Sequence, residues 1–276
     1  MASSYEVQFA DNDFLIDDSA TIIYGDSGIG KSTIARMMPS PCFLMMRGGG
    51  EHRPAPLAGS NIPFIEIRTK QQLDLLISSI KRDNGMVVQR PIRSKDMATT
   101  LTAVGKAGGA TTEPYVVKTL IIDQLSSAHV LLMQNIMTSV ARGRENPDTP
   151  AQMDFRQVLQ QFTKMMVEVN SIPHMHKVYL ALADIRLDMD TSEKYGAPMI
   201  PGMLSLDVLK YVDFVFRMHV RRVIESNKVR EFRAFQTQPD GLWKAKDSTG
   251  KLPAYIEIPS PNYDYWNEVI VKAILK

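Results

Sequence analysis

Nine residues, Gly25-Asp26-Ser27-Gly28-Ile29-Gly30-Lys31-Ser32-Thr33, constrain this chain more than any other feature. They fit the pattern G-x-x-x-x-G-K-[ST], and they stand between a short apolar run, Ala20 to Tyr24, and a stretch with helical apolar spacing, Lys31 to Met38. Glycines let a backbone curl so that successive N–H groups point at one anion, and a helix start adds favourable dipole there. In such a loop the lysine neutralises β- and γ-phosphates, and the hydroxyl of Ser32 is placed to ligate Mg²⁺. A Gly-rich turn holding no ligand is the bland alternative. The pattern also asks for a carboxylate at the end of a neighbouring strand. The apolar run Val116 to Asp123, VVKTLIID, ends in Asp123 and supplies one.

Short apolar runs alternate with helical spacing along the rest of the chain. Ala20 to Tyr24, Phe43 to Met46, Pro63 to Arg68, Tyr115 to Ile122 and Lys177 to Ala183 read as buried strands. Lys31 to Met38, Gln71 to Lys81, Ser126 to Val140 and Phe155 to Val169 read as helices. Such alternation predicts an α/β fold, a mainly parallel sheet flanked by helices. From Asp213 the character changes. Asp213 to Ile224 and Val229 to Thr237 flank a turn at Glu225 to Lys228 and predict an antiparallel hairpin extension, followed by a strand at Tyr255 to Pro259 and a short helix at Asn267 to Leu275. Gln89 to Pro114, Arg142 to Ala151 and Leu187 to Gly202 read as long loops. The expected organisation is an acidic arm over residues 1–19 and a single domain over 20–276.

Composition limits the classes open to such a chain. With 32 Lys plus Arg against 30 Asp plus Glu, the formal net charge is +2, so any basic site must be local. The first 30 residues carry six acids and no Lys or Arg, −6, which leaves +8 on the remainder. The longest apolar run, Val178 to Ala183, is far short of the ~18 residues a membrane span requires, and the start of the sequence has acids where a signal peptide has bases. A soluble, intracellular, cytoplasmic protein is expected. The single cysteine, Cys42, excludes a disulfide framework and reads as a buried, inert thiol.

With the loop and Asp123 placed, the order of the downstream segments resembles the RecA-type ATPase core, and more closely the phage-encoded RecA-like P-loop proteins that include single-strand annealing proteins. The resemblance implies ATP and Mg²⁺ as cofactors, ATP hydrolysis, single-stranded DNA as a partner and a homo-oligomer, ring or filament. In that family the strand bearing the magnesium-side acid leads to a helix, a DNA-facing loop, a second helix, a strand ending in a γ-phosphate sensor and a second DNA-facing loop. Here those parts fall on Asp123, Ser126 to Val140, Arg142 to Ala151, Phe155 to Val169, Val178 to Asp184 and Leu187 to Gly202. Ala183-Asp184-Ile185-Arg186 stands where the family has Asn-Gln-Ile-Arg. Asp184 is thus either the sensor or an acid pairing with Arg186 or Lys194. Where the family has a general-base Glu, this chain has Arg47, with Glu51 displaced beyond Gly48 to Gly50. Trp243-Lys244-Ala245-Lys246 resembles the Lys-x-Lys segment that reaches a neighbouring subunit's ATP; a solvated hairpin face would look similar.

Arg142, Arg144, Arg186 and Lys194 are the cations in or beside the two expected DNA-facing loops, partly offset by Glu145, Asp148, Asp188, Asp190 and Glu193. Met218 to Arg233 is also basic, five cations against two acids, and reads as a solvated hairpin side or as a DNA contact. Two rival functions stay open: a P-loop ATPase switch or loader acting on a protein partner, and a small-molecule kinase, although no Arg-rich lid is evident.

Overall fold

The computed structural model describes residues 16–47, 62–91, 112–140, 149–188, 191–201, 204–225 and 228–275. In chain order its elements are β1 (Ala20–Gly25), α1 (Lys31–Ala35), β2 (Pro41–Met46), β3 (Phe64–Ile67), α2 (Lys70–Arg82), β4 (Met86–Pro91), β5 (Thr112–Val117) and β6 (Thr119–Asp123). They continue with α3 (Leu125–Val140), α4 (Gln152–Asn170), β7 (His176–Leu187), β8 (Lys194–Pro198), α5 (Leu204–Asp207), β9 (Phe214–Glu225), β10 (Lys228–Gln236), β11 (Lys246–Asp247) and β12 (Tyr255–Ile258). A π-helical turn at Trp266–Val271 runs into α6 (Lys272–Ile274).

A ten-stranded sheet in the order β12-β10-β9-β1-β7-β6-β2-β3 organises these parts, with β8 paired to β7 and β11 to β9. From β9 to β3 every pairing is parallel, whereas β8, β10, β11 and β12 join antiparallel. This is the expected mainly parallel sheet flanked by helices, with antiparallel C-terminal strands. Its parallel strands are apolar on both faces because both are covered. Ile22 and Tyr24 of β1 face one core with Leu131, Phe162 and Met166 of α3 and α4. Ile23 faces the other, with Ile34 of α1 and Trp266, Ile270 and Ile274 of the C-terminal turn. Cys42 is fully buried on β2, and burial pushes its thiol up to about 12.

Three local expectations need correction. The run Tyr115 to Ile122 is two strands, because the chain breaks at Lys118, whose N–H donates to the Ser40 carbonyl at 3.1 Å. β5 then pairs with β4 in a separate two-stranded sheet, while β6 enters the main one. Within the segment Leu187 to Gly202, Lys194–Pro198 forms β8, which pairs with the extended end of β7 from Leu187↔Lys194 to Ala183↔Pro198. The helix expected to reach Met38 ends at Ala35. Among the described residues no helix is long and apolar enough to cross a membrane.

Candidate functional site: a phosphate loop beside a carboxylate strand

β1 ends at Gly25, and the chain turns through Gly28 (φ 73°) and Gly30 (φ 106°) into α1. Both angles lie in the left-handed region that glycine enters freely. Gly25 is required for a different reason: a Cβ there would lie 2.3 Å from the Met218 carbonyl oxygen of neighbouring β9. α1 has only five residues, so the loop's own N–H groups, more than a long helix dipole, must do most of the anion binding.

The acid stands two strands away. β7 lies between β1 and β6, and parallel register brings Asp123 level with Leu180 of β7. The Ser32 hydroxyl donates to Asp123 Oδ2 at 2.9 Å, so the two groups expected on the magnesium side meet. Lys31 Nζ donates to the Gly25 and Asp26 carbonyls at 2.9 and 2.8 Å. Burial holds the Lys31 ammonium below its usual pKa, opposed by the charges of Asp123 and Asp26. Among the described residues no three metal-ligating side chains converge. That donor set fits a Mg²⁺ bound through one carboxylate, one hydroxyl and phosphate oxygens, the usual manner for this ion. Asp26 and Ser27 are exposed, while Ile29 and Thr33 are half-buried around the loop.

The other anticipated residues are distributed unevenly. Asp184 is on β7 and accepts from Arg186 Nε at 3.1 Å. Arg186 also donates to the Ser205 hydroxyl at 3.0 Å and the Ile200 carbonyl at 2.5 Å, which ties it into its own chain. Lys194 is exposed on β8. Lys246 is committed inward, donating to the Val212 carbonyl at 2.6 Å. Lys244 is exposed, its ammonium 5.8 Å from the centre of the Tyr195 ring. The two lysines therefore do not present one clamp from one face. Arg47, where a general-base carboxylate was sought, is ion-paired with Glu66 of β3. Glu51, Arg142 and Arg144 lie outside the described residues.

The structure also brings together around the loop and β1 residues that the sequence does not place there. Arg233 of β10 places its Nε 3.9 Å from where a Gly30 Cβ would be. Tyr24, next to Gly25, donates its hydroxyl to the Lys244 carbonyl, and burial raises its pKa. Trp243 packs between Tyr24 and β8, its ring where a Gly196 Cβ would stand, 2.1 Å away. The register of a hairpin can be read locally, but nothing in the sequence says that β9 lies beside β1, nearly 190 residues earlier in the chain.

A parallel sheet with a glycine loop after β1, a lysine over it and a Ser–Asp contact across β7 defines a P-loop nucleotide-binding domain. The family model described as "AAA domain" matches residues 18–249, and the chain belongs to that family. No curated protein sequence matches it. Among solved structures it is similar to a KaiC-like protein from the hyperthermophilic archaeon Pyrococcus horikoshii, at 10% identity and a TM-score of 0.38, over 88% of this chain and 87% of that one.

Proposed function

We propose that this chain is a Mg²⁺-dependent ATPase of RecA-like type that works on single-stranded DNA, in recombination or strand annealing, as a homo-oligomer. The observation that carries the nucleotide part is the convergence of Lys31, Ser32 and Asp123 at the end of β1. Lys31 and the loop N–H groups bind the polyphosphate, and Ser32 with Asp123 holds the ion. A Mg²⁺ held by Ser32 and Asp123 would supply positive charge to offset that of the phosphates. Asp184, four residues along β7 beyond the level of Asp123, is paired with Arg186, which is the alternative to a γ-phosphate sensor. Arg47 in place of a base carboxylate makes hydrolysis slow unless Glu51 supplies one.

The DNA part is supported by the order of parts after Asp123, since α3, α4 and β7 follow in the order the RecA-type resemblance implies. One observation favours a second reading, a switch acting on a protein partner: Arg186, expected near DNA, is spent on Asp184, Ser205 and Ile200. The two separate on ATP hydrolysis measured at low salt with and without oligodeoxythymidylate. Stimulation supports the DNA reading. Unchanged hydrolysis, with ATP binding intact, supports the protein-partner reading and removes the first.

A further inference from the structure

Cations and aromatic rings are paired along one side of the C-terminal strands. Every cation–aromatic contact among the described residues falls on this surface. Lys244 lies over Tyr195 at 5.8 Å, Arg217 over Trp243 at 3.7 Å, Arg221 over Tyr255 at 4.0 Å and Arg230 over Phe232 at 5.0 Å. Register explains the shared side. Arg217, His219 and Arg221 alternate along β9 opposite Gln236, Ala234 and Phe232 of β10, and Tyr255 and Glu257 of β12 follow opposite Gln236 and Ala234. The other side of the same strands, Phe216, Met218, Phe235, Ile256 and Ile258, is buried in a core.

Arginines stand on both sides of these strands. On the core side, beyond the buried part, Arg222 is paired with Glu231. On the aromatic side Arg221 has a ring for a partner and, among the described residues, no ion pair. A ring holds a guanidinium in place without cancelling its charge, so its N–H donors stay available to an anion. Among the described residues the acids beside this surface are Glu257, paired with Arg230, Asp240, which accepts the Leu242 and Trp243 N–H groups, and Asp26, whose charge reaches Arg217. Against these three stand Arg217, Arg221, Arg230 and Lys244, with Lys194 exposed on β8. His219 adds a half-buried imidazole whose Nε2 finds no hydrogen-bond partner among the described residues.

We infer that the aromatic side of β9, β10 and β12, continued by Trp243 and Lys244 to β8, is a binding platform for single-stranded DNA. The inference rests on the DNA reading and gives it a site other than the two expected loops. Arginines contact phosphates, and bases stack on Tyr255, Phe232 and the outer guanidinium faces, a combination suited to a strand bound without sequence preference. Gly196 closes the join, because its missing side chain lets Trp243 seat against β8.

Binding of the full chain to fluorescent oligodeoxythymidylate, followed by anisotropy across a salt series, tests this. Tyr255→Ala should weaken binding about 5- to 100-fold at every salt concentration, as loss of a stacking partner does. Arg221→Ala should reduce the slope of log affinity against log salt by about 0.7, the loss of one phosphate contact to a single strand. Arg222→Ala, on the opposite side, should bind as the wild type, and all three should keep their affinity for a fluorescent ATP analogue. Wild-type binding by Tyr255→Ala and Arg221→Ala would overturn the platform and leave the DNA reading standing. If the unaltered protein fails to bind the oligonucleotide at low salt, the DNA reading falls, and the platform with it.

Discussion

Acid should destabilise this protein through one buried histidine at the end of the sheet remote from the phosphate loop. His176 opens β7, is 4% exposed, and has its Nδ1 3.0 Å from the Ser19 hydroxyl and its ring 4.6 Å from Trp266. Burial pushes its pKa from 6.5 down to about 4, helped by the charges of Lys177 and Lys118 and opposed by Asp17. Lys177 is itself buried and ion-paired with Asp18, and Asp213 lies nearby, accepting the Ala20 N–H at 2.8 Å. The unfolded chain takes up the proton below pH 6.5, the folded one only near 4, so the unfolded state binds more protons between these values. Stability from this group is complete above about 6.5 and is lost as pH falls toward 4. The full difference corresponds to about 3 kcal/mol, of which about 2 kcal/mol is gone by pH 5. Urea unfolding of the wild type and of His176→Asn, compared from pH 7.5 to 5, isolates the effect from the carboxylates that both share. His176→Asn should be less stable at pH 7.5, and the gap should close by about 2 kcal/mol at pH 5. Two parallel stability curves, or a proton NMR titration of His176 with a midpoint near 6.5, would refute the reasoning.

The loop and its surroundings make two further outcomes measurable. Asp123→Asn should weaken binding of a fluorescent ATP analogue by at least about tenfold in Mg²⁺ and change it little in EDTA, because the substitution removes the charge that accepts from Ser32. Gly196→Ala forces a Cβ to within 2.1 Å of Trp243. Overpacking of this kind costs about 1–3 kcal/mol, or a fall in melting temperature of several degrees for a chain of this size, and calorimetry with tryptophan emission reports both.

Much of the fold is legible along the chain because its signals are local. α2, α3 and α4 fall within a few residues of their expected spans, since apolar positions three and four apart mark the buried face of a helix directly. The β9–β10 hairpin and β12 are likewise where alternation and the turn at Glu225 to Lys228 put them. The break between β5 and β6 is hidden because VVKTLIID is apolar on both sides of Lys118, and what divides it is a hydrogen bond to Ser40 made only after folding. β8 is hidden because its partner is a β7 that runs beyond its apolar stretch, through Asp184 and Arg186. Lys31, Ser32 and Asp123 are recoverable from pattern. Arg233, Trp243 and the row of ringed cations depend on which strands are neighbours, which spacing does not encode.

The outermost parallel strand, β3, has a consequence for self-association. Among the described residues no strand pairs its outer side, and an uncovered edge is an invitation to extend the sheet with another chain. β3 is four residues long, and its Glu66 is clasped by Arg47 and Arg68. A strand this short, carrying a doubly paired charge, offers an incoming strand few backbone partners and obliges it to bury or break an ion pair. Fibrillar growth through this edge is thereby discouraged.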